Sequence, residues 1–312
     1  DRLTWPSGRH DRFVAALVAG YLVAALLPVG LQNFYNARDW VMWGSYAANF
    51  RAPGLQRLAK EMNASPEPFR VVTIQENGLV AGYANAYGLE SGDGYFNMYS
   101  KRYQQLWGSV VEPFQRHHEE ERDYFFRRVG NRMRILIDSD GGFPAVAENN
   151  FRLPLLSLLN VRYLITNVPL SGEGLELLPE TKPDIFWDDL PTLSKIRRRL
   201  VENFVGRHVM IYRIKEALPR WYLTGSIRMH ESSAALAEDL QSATAEDLRA
   251  TLRLLRVDAA PLGNLDGLLT GGTVTRRVYA PDRIVLEVDS PGPAVLVVTH
   301  AYSPYWRATI NG

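Results

Sequence analysis

Residues 13–31 read FVAALVAGYLVAALLPVGL, nineteen positions without a charge. As a helix this run is about 28 Å long, close to the ~30 Å hydrocarbon core of a bilayer. Apolar side chains fall on every face, so the segment is not an amphipathic surface helix. Arg2, Arg9 and Arg12 precede it and the next basic residue is Arg38. The positive-inside rule then puts the N-terminal flank in the cytoplasm and everything after about Asn33 outside. Tyr21 and Pro28 are tolerated in spans, and Tyr35, Trp40 and Trp43 suit the outer interfacial belt. Two other readings stand beside this one. A signal peptide would share the basic flank, but no small-x-small cleavage site follows Leu27-Pro28-Val29-Gly30, and the run is long for that role. A buried helix of a large soluble core is the other.

The rest of the chain reads as globular. Of 312 residues, 46% are hydrophobic and 22% charged, enough to bury a substantial core over roughly two domains. Lys plus Arg number 35 against 34 Asp plus Glu, so nothing in the balance implies nucleic acid. The run Arg197-Arg198-Arg199 is expected to be a solvated helix face. There is no cysteine. Disulfides, thiolate metal sites and cysteine nucleophiles are therefore excluded.

Composition predicts a short helix over residues 53–62, a strand over 69–74, and a loop rich in Gly, Asn and Tyr over 77–94. Helical spacing covers 95–107 and 110–128, and a strand follows at 133–137. An apolar helical turn at 153–159 leads into a buried strand at 160–166, and 171–191 reads as loop. Residues 200–204 and 208–214 flank Val205-Gly206-Arg207 as a hairpin. Another strand is expected at 220–229. A helical stretch covers 232–255, with Thr244-Ala245-Glu246-Asp247 as a capping box. Strands at 273–278, 283–288, 294–300 and 305–310, separated by Pro and Gly turns, suggest half of a β-sandwich. The expected organisation is α+β: a transmembrane helix with flanks (1–38), a mixed α/β extracytoplasmic domain (39–218), and a C-terminal antiparallel β-sandwich with inserted helices (219–312). The sandwich is expected to be incomplete. The chain starts at Asp1, and its last strand runs into Asn311-Gly312, a pair that favours a turn needing positive φ. The natural protein is therefore expected to continue beyond both ends.

Four stretches, in order, resemble the C-terminal part of the YfhO family of bacterial membrane proteins. The first is Phe69-Arg70-Val71 with Asn85, Gly88, Gly94-Tyr95 and Arg102-Tyr103. The second runs Leu158-Leu159-Asn160-Val161-Arg162-Tyr163-Leu164-Ile165-Thr166. The third is Ala217-Leu218-Pro219-Arg220-Trp221-Tyr222-Leu223. The last is Thr299-His300-Ala301-Tyr302-Ser303-Pro304-Tyr305-Trp306-Arg307-Ala308-Thr309-Ile310-Asn311-Gly312. Tyr305 stands where family members often have Gly, and Asn311 where Asp is common. The resemblance implies a polytopic protein similar to GT-C glycosyltransferases, which move a sugar from a polyprenyl-phosphate carrier to an envelope acceptor. The acidic catalytic residue of that architecture lies in an early extracytoplasmic loop that this chain lacks. No catalytic residue and no cofactor is therefore assigned here. The implied partners are the bilayer, a lipid-linked sugar or envelope glycan, and an N-terminal transmembrane bundle of the same protein. The implied location is the bacterial cytoplasmic membrane with the bulk of the chain outside.

Few residues are candidates for chemistry. Asp138-Ser139-Asp140-Gly141-Gly142 follows a strand, so Asp138 and Asp140 are a weak metal pair, the alternative being a tight turn. His117-His118-Glu119-Glu120-Glu121 reads as a solvated helix face, since His-Glu-x-x-His is absent. His208, His230 and His300 lie in strands without an obvious partner. No Gly-x-Ser-x-Gly elbow and no P-loop is present. Tyr83, Asn85, Tyr87, Tyr95, Asn97 and Tyr99 are glycan-binding candidates, because aromatic faces pack on sugar C–H faces and amides read hydroxyls. The competing reading is a Tyr-rich core helix beside a satisfied Asn loop. The leading function is the extracytoplasmic portion of a membrane glycosyltransferase. The rivals are a non-catalytic membrane-anchored ectodomain that binds glycan or protein, and a module that only stabilises the spans.

Overall fold

The computed structural model describes residues 7–76, 79–95, 99–128, 132–139, 142–186, 189–259, 267–269, 271–301 and 305–311. The chain is mixed α/β and divides into two compact units, Asp1–Arg51 with Pro191–Arg207, and Ala52–Leu190 with His208–Gly312. Residues 219–312 thus share a unit with most of 52–218.

The first unit is helical. Its longest element, Ser7–Trp43, contains Pro28 and includes the stretch Asp11–Trp40, whose most apolar 18-residue window has mean hydropathy 2.3 and is unburied. It is long and apolar enough to cross a membrane. Tyr46–Phe50 follows, capped by Ser45, whose side chain accepts from the Ala48 amide. The third helix, Thr192–Val205, occupies the stretch where a hairpin is expected. Leu193, Ile196, Leu200 and Phe204 have helical spacing, and it outweighs the strand-like composition of 200–204. Gly206 is the helix stop and no hairpin turn. Its φ is +109°, and a Cβ there would meet the Arg51 backbone.

The second unit is built on a four-stranded sheet ordered Arg70–Thr73, Val161–Thr166, Met210–Ile214, Leu175–Leu177. The first pair is parallel and the others antiparallel. Alternating side chains feed two apolar layers. Val72, Leu164, Met210 and Tyr212 join Trp107, Leu155 and Leu156 in one layer. Val71, Tyr163, Ile165 and Ile211 join Leu55, Leu58 and Phe69 in the other. Both faces are covered, so Tyr163, Leu164 and Ile165 are buried in succession, while Arg162 near the strand's start keeps partial exposure. Each fully buried Leu or Ile contributes about 1.5–3 kcal/mol.

Other elements shift from their sequence assignments. The helix expected from 95 starts at Lys101, where the Ser100 hydroxyl accepts from the Tyr103 amide, because Gly94–Tyr95 pairs as a strand with Arg132–Met133. The second helix breaks into Glu112–His117, Glu119–Asp123 and a π-type turn at Tyr124–Arg128. The strand expected at 220–229 is two strands, Trp221–Thr224 and Ile227–His230. The helical stretch ends at Ala250 and gives way to the Leu252–Leu255 strand. The capping box is present in full, with the Thr244 and Asp247 side chains each accepting from the other's backbone N–H.

Among the described residues the C-terminal strands form small separate sheets: Trp221–Thr224 with Val295–Val298, Thr273–Ala280 with Arg283–Asp289, and Ile227–His230 with Leu252–Leu255. Residues 305–310 are not a strand. They belong to no sheet among the described residues, and Tyr305 and Ile310 are almost fully exposed. Asn311 has the left-handed backbone, φ +59°, that its pairing with glycine predicts.

Candidate functional site

The four stretches that carry the family resemblance meet at one buried polar junction in the second unit. Arg70 begins the first sheet strand, and its Nη1 donates to the carbonyls of Leu159 at 3.0 Å and Thr299 at 2.8 Å. Asn160, in a left-handed conformation at φ +60°, accepts from the Arg70 amide at 2.9 Å and donates through Nδ2 to the Leu218 carbonyl at 2.8 Å. The Arg220 side chain has no exposure at all. Its Nη2 donates to Glu90 Oε2 at 2.5 Å, and its guanidinium lies 5.8 Å from the Tyr279 ring centroid. Tyr279 donates its hydroxyl to Glu90 Oε1 at 2.7 Å. The Thr299 amide donates to the Arg220 carbonyl at 2.9 Å.

Arg220 therefore pairs with Glu90, and the Arg70 guanidinium, held by carbonyls, lies near enough to feel both charges. Burial, and then Arg220 beside it, lower the Arg70 pKa to about 10. Burial, and then both arginines, hold the His300 imidazole below its ordinary value. His300 lies edge-on to Trp306 at 5.1 Å. The Tyr279 hydroxyl is pushed up to about 12, chiefly by burial. Such groups hold segments in register and present an excess of positive charge; no nucleophile faces a base among them. Glu90 and Tyr279 were not legible as site residues. The one sequence signal was a charge enclosed by apolar neighbours in Leu218-Pro219-Arg220-Trp221.

The tyrosine loop leads into this junction from the other side. Asp93 is fully buried, and its carboxylate accepts from Ser91 Oγ and from the Gly82 amide at 2.7 Å. Burial pushes its pKa up to about 6 despite those bonds. Gly82, at φ +76°, lies so close to Gly94 that a Cβ would sit 3.2 Å from the Gly94 Cα. In the turn this closes, Tyr83 and Tyr87 meet edge-on at 5.6 Å with hydroxyls 3.2 Å apart.

The six glycan candidates do not form one face. Tyr83 is buried and Tyr87 packs against the same apolar layer, whereas Tyr99 packs against the other layer. Asn85 is exposed on the turn. Tyr95 is exposed under the Arg132 guanidinium, 4.9 Å from its ring centroid. Asn97 lies outside the described residues, as does Asp140 of the metal candidates. Asp138 forms a pair with His118 at 3.0 Å, and the other ring nitrogen of His118 lies 3.0 Å from the Phe114 carbonyl. His118 thus faces its own fold, as does Glu121, which pairs with Arg134 at 2.6 Å, whereas His117, Glu119 and Glu120 match a solvated helix face. No group of three or more His, Asp or Glu is placed to hold a metal ion among the described residues. His230 pairs with Asp239 at 3.0 Å, and His208 Nε2 lies 2.9 Å from the Thr181 carbonyl.

A separate cleft of about 620 Å³ opens in the same unit, lined by Phe143, Pro144, Leu177, Lys182, Phe186 and Tyr212 among others. Fold and site together define a mixed α/β protein with, among the described residues, one helix long and apolar enough to cross a membrane, and a second unit tied by a part-buried arginine–glutamate junction. No family model, curated protein or solved structure matches the chain.

Proposed function

We propose that this chain is the membrane-anchored, extracytoplasmic portion of a YfhO-like protein of GT-C type, and that the second unit works beside the sugar-transfer centre. The carrying observation is the helical stretch Asp11–Trp40, whose most apolar 18-residue window has mean hydropathy 2.3 and is unburied throughout. A bilayer would cover such a surface. Arginines before residue 13 and none from there until Arg38 orient the N-terminal flank inward. The convergence of the four resembling stretches on the Arg70–Arg220–Glu90 junction supports a shared architecture with that family. In this reading the two antiparallel pairs, Trp221–Thr224 with Val295–Val298 and Thr273–Ala280 with Arg283–Asp289, are half of an antiparallel β-sandwich, and the parallel pair Ile227–His230 with Leu252–Leu255 lies outside it. The full protein transfers sugar from a polyprenyl-phosphate carrier to an envelope acceptor. The cleft lined by Phe143, Phe186 and Tyr212 favours a second reading, a non-catalytic anchored ectodomain that binds glycan or protein.

The absence of cysteine makes the topology directly testable. In a bacterial host, Glu246→Cys should react with a membrane-impermeant maleimide in intact spheroplasts, and Gly8→Cys only after permeabilisation. The reverse pattern would overturn the orientation, and labelling of both in intact spheroplasts would overturn the span. Sugar transfer from a polyprenyl-phosphate donor by the full-length protein in proteoliposomes separates the two functional readings.

A further inference from the structure

The Thr192–Val205 helix is built inside out. At 3.6 residues per turn, Leu193, Ile196, Leu200 and Phe204 fall within an arc of roughly 80°. In a soluble protein that arc would face the core. Here it faces outward: Leu193 is 81% exposed and Phe204 68%, with Ile196, Leu200, Val201 and Val205 also exposed. The opposite side carries Arg198, Arg199, Glu202 and Asn203 and is turned inward. Glu202 and Asn203 are buried, and Glu202 pairs with Arg198 and Arg199.

Asn203 fixes this orientation. Its Oδ1 accepts from the Ser45 amide at 2.6 Å, its carbonyl accepts from the Ser45 hydroxyl, and its Nδ2 donates to the Trp40 carbonyl at 3.1 Å. Phe204 meets the Trp40 ring at 5.7 Å. The outward apolar stripe therefore runs on to the end of the Ser7–Trp43 helix, where Tyr46 and Phe50 are exposed as well. The helix carries Lys195 and three arginines against one acid. Arg197 flanks the stripe and is exposed, and its long stem lets its head reach headgroups while its carbons stay among acyl chains.

We infer that the Thr192–Val205 helix lies in the headgroup–acyl boundary of the bilayer beside the end of the span, its apolar side in lipid and the exposed Arg197 against anionic phospholipid headgroups. Continuity with the span and charge complementarity select lipid as the occupant. The inference rests on the membrane reading of the Ser7–Trp43 helix. It makes residues 191–207 a second membrane contact for a chain whose soluble unit is interrupted there.

The test uses the full chain in vesicles of phosphatidylcholine and phosphatidylglycerol with brominated acyl chains. A polarity-sensitive maleimide fluorophore is placed at Leu200→Cys, Leu22→Cys or Glu246→Cys. Emission at Leu200→Cys and Leu22→Cys should be quenched several-fold more than at Glu246→Cys. Omitting phosphatidylglycerol should weaken quenching at Leu200→Cys only. Quenching at Leu22→Cys without quenching at Leu200→Cys overturns the inference and leaves the span intact, the stripe then being covered by protein. Loss at both positions overturns the span itself. An unchanged Leu200→Cys signal without phosphatidylglycerol removes the headgroup contact.

Discussion

Replacing Glu90 with glutamine isolates the energetics of the buried junction. The substitution keeps the shape but removes the only carboxylate that the Arg220 guanidinium is seen to bond. Arg220 has no exposure and its Nε already lacks a partner, so the orphaned charge cannot turn to water. Removing one partner of a buried pair costs about 3–5 kcal/mol, mostly the penalty of the charge left behind. Arg70, close enough for Arg220 to help lower its pKa, adds repulsion that Glu90 had balanced. At roughly 2–4 °C per kcal/mol for a unit this size, the unfolding midpoint should fall by about 6–20 °C. Tryptophan fluorescence during heating in nanodiscs reads it, since Trp221 packs on Tyr279 beside the pair. Adding Arg220→Met to Glu90→Gln should recover much of the loss, because no charge then remains to be neutralised. A loss under about 1 kcal/mol for Glu90→Gln, or strict additivity of the two substitutions, would refute the claim that the pair is energetically coupled.

Three further outcomes follow from the same geometry. Asp93 has a folded pKa of about 6 against an ordinary 3.8, so the folded state binds its proton more tightly. Stability present below pH ~4 should decline, by up to about 3 kcal/mol, as the pH rises through about 6; denaturant midpoints across that window should show the slope, and Asp93→Asn should flatten it. Thr244→Ala removes the capping box and should cost about 1 kcal/mol, read as faster amide exchange over Ala245–Ala250 with little effect elsewhere. Tyr83→Ala should destabilise the unit by about 3–5 kcal/mol because the ring is buried. Exposed Asn85 is therefore the informative glycan probe: Asn85→Ala should lower sugar transfer by the full-length protein without moving its melting point, and unchanged transfer ends a glycan role for this turn.

Local physics settled much of this protein from the sequence. An uncharged run of nineteen residues makes a long apolar helix, a Thr-x-x-Asp pattern makes a capped helix, and Asn before Gly takes positive φ at 311. The Val161–Thr166 strand could be read because a strand covered on both faces carries apolar side chains in succession, as Tyr163, Leu164 and Ile165 do after Arg162. Each of these depends on neighbours within a turn or two. Tertiary structure decided the rest. The spacing of Leu193, Ile196, Leu200 and Phe204 makes 192–205 a helix, but which side it turns inward is set by Asn203, anchored to Ser45 and Trp40 more than 150 positions earlier. Residues 305–310 have a strand's composition yet form none, because a ladder needs a partner and none is described beside them. Glu90 and Arg220, 130 positions apart, become a site only when folding removes the water between them. Composition reports what a residue prefers, but a charge pair, an outward apolar face and a sheet edge exist only once distant segments share a surface.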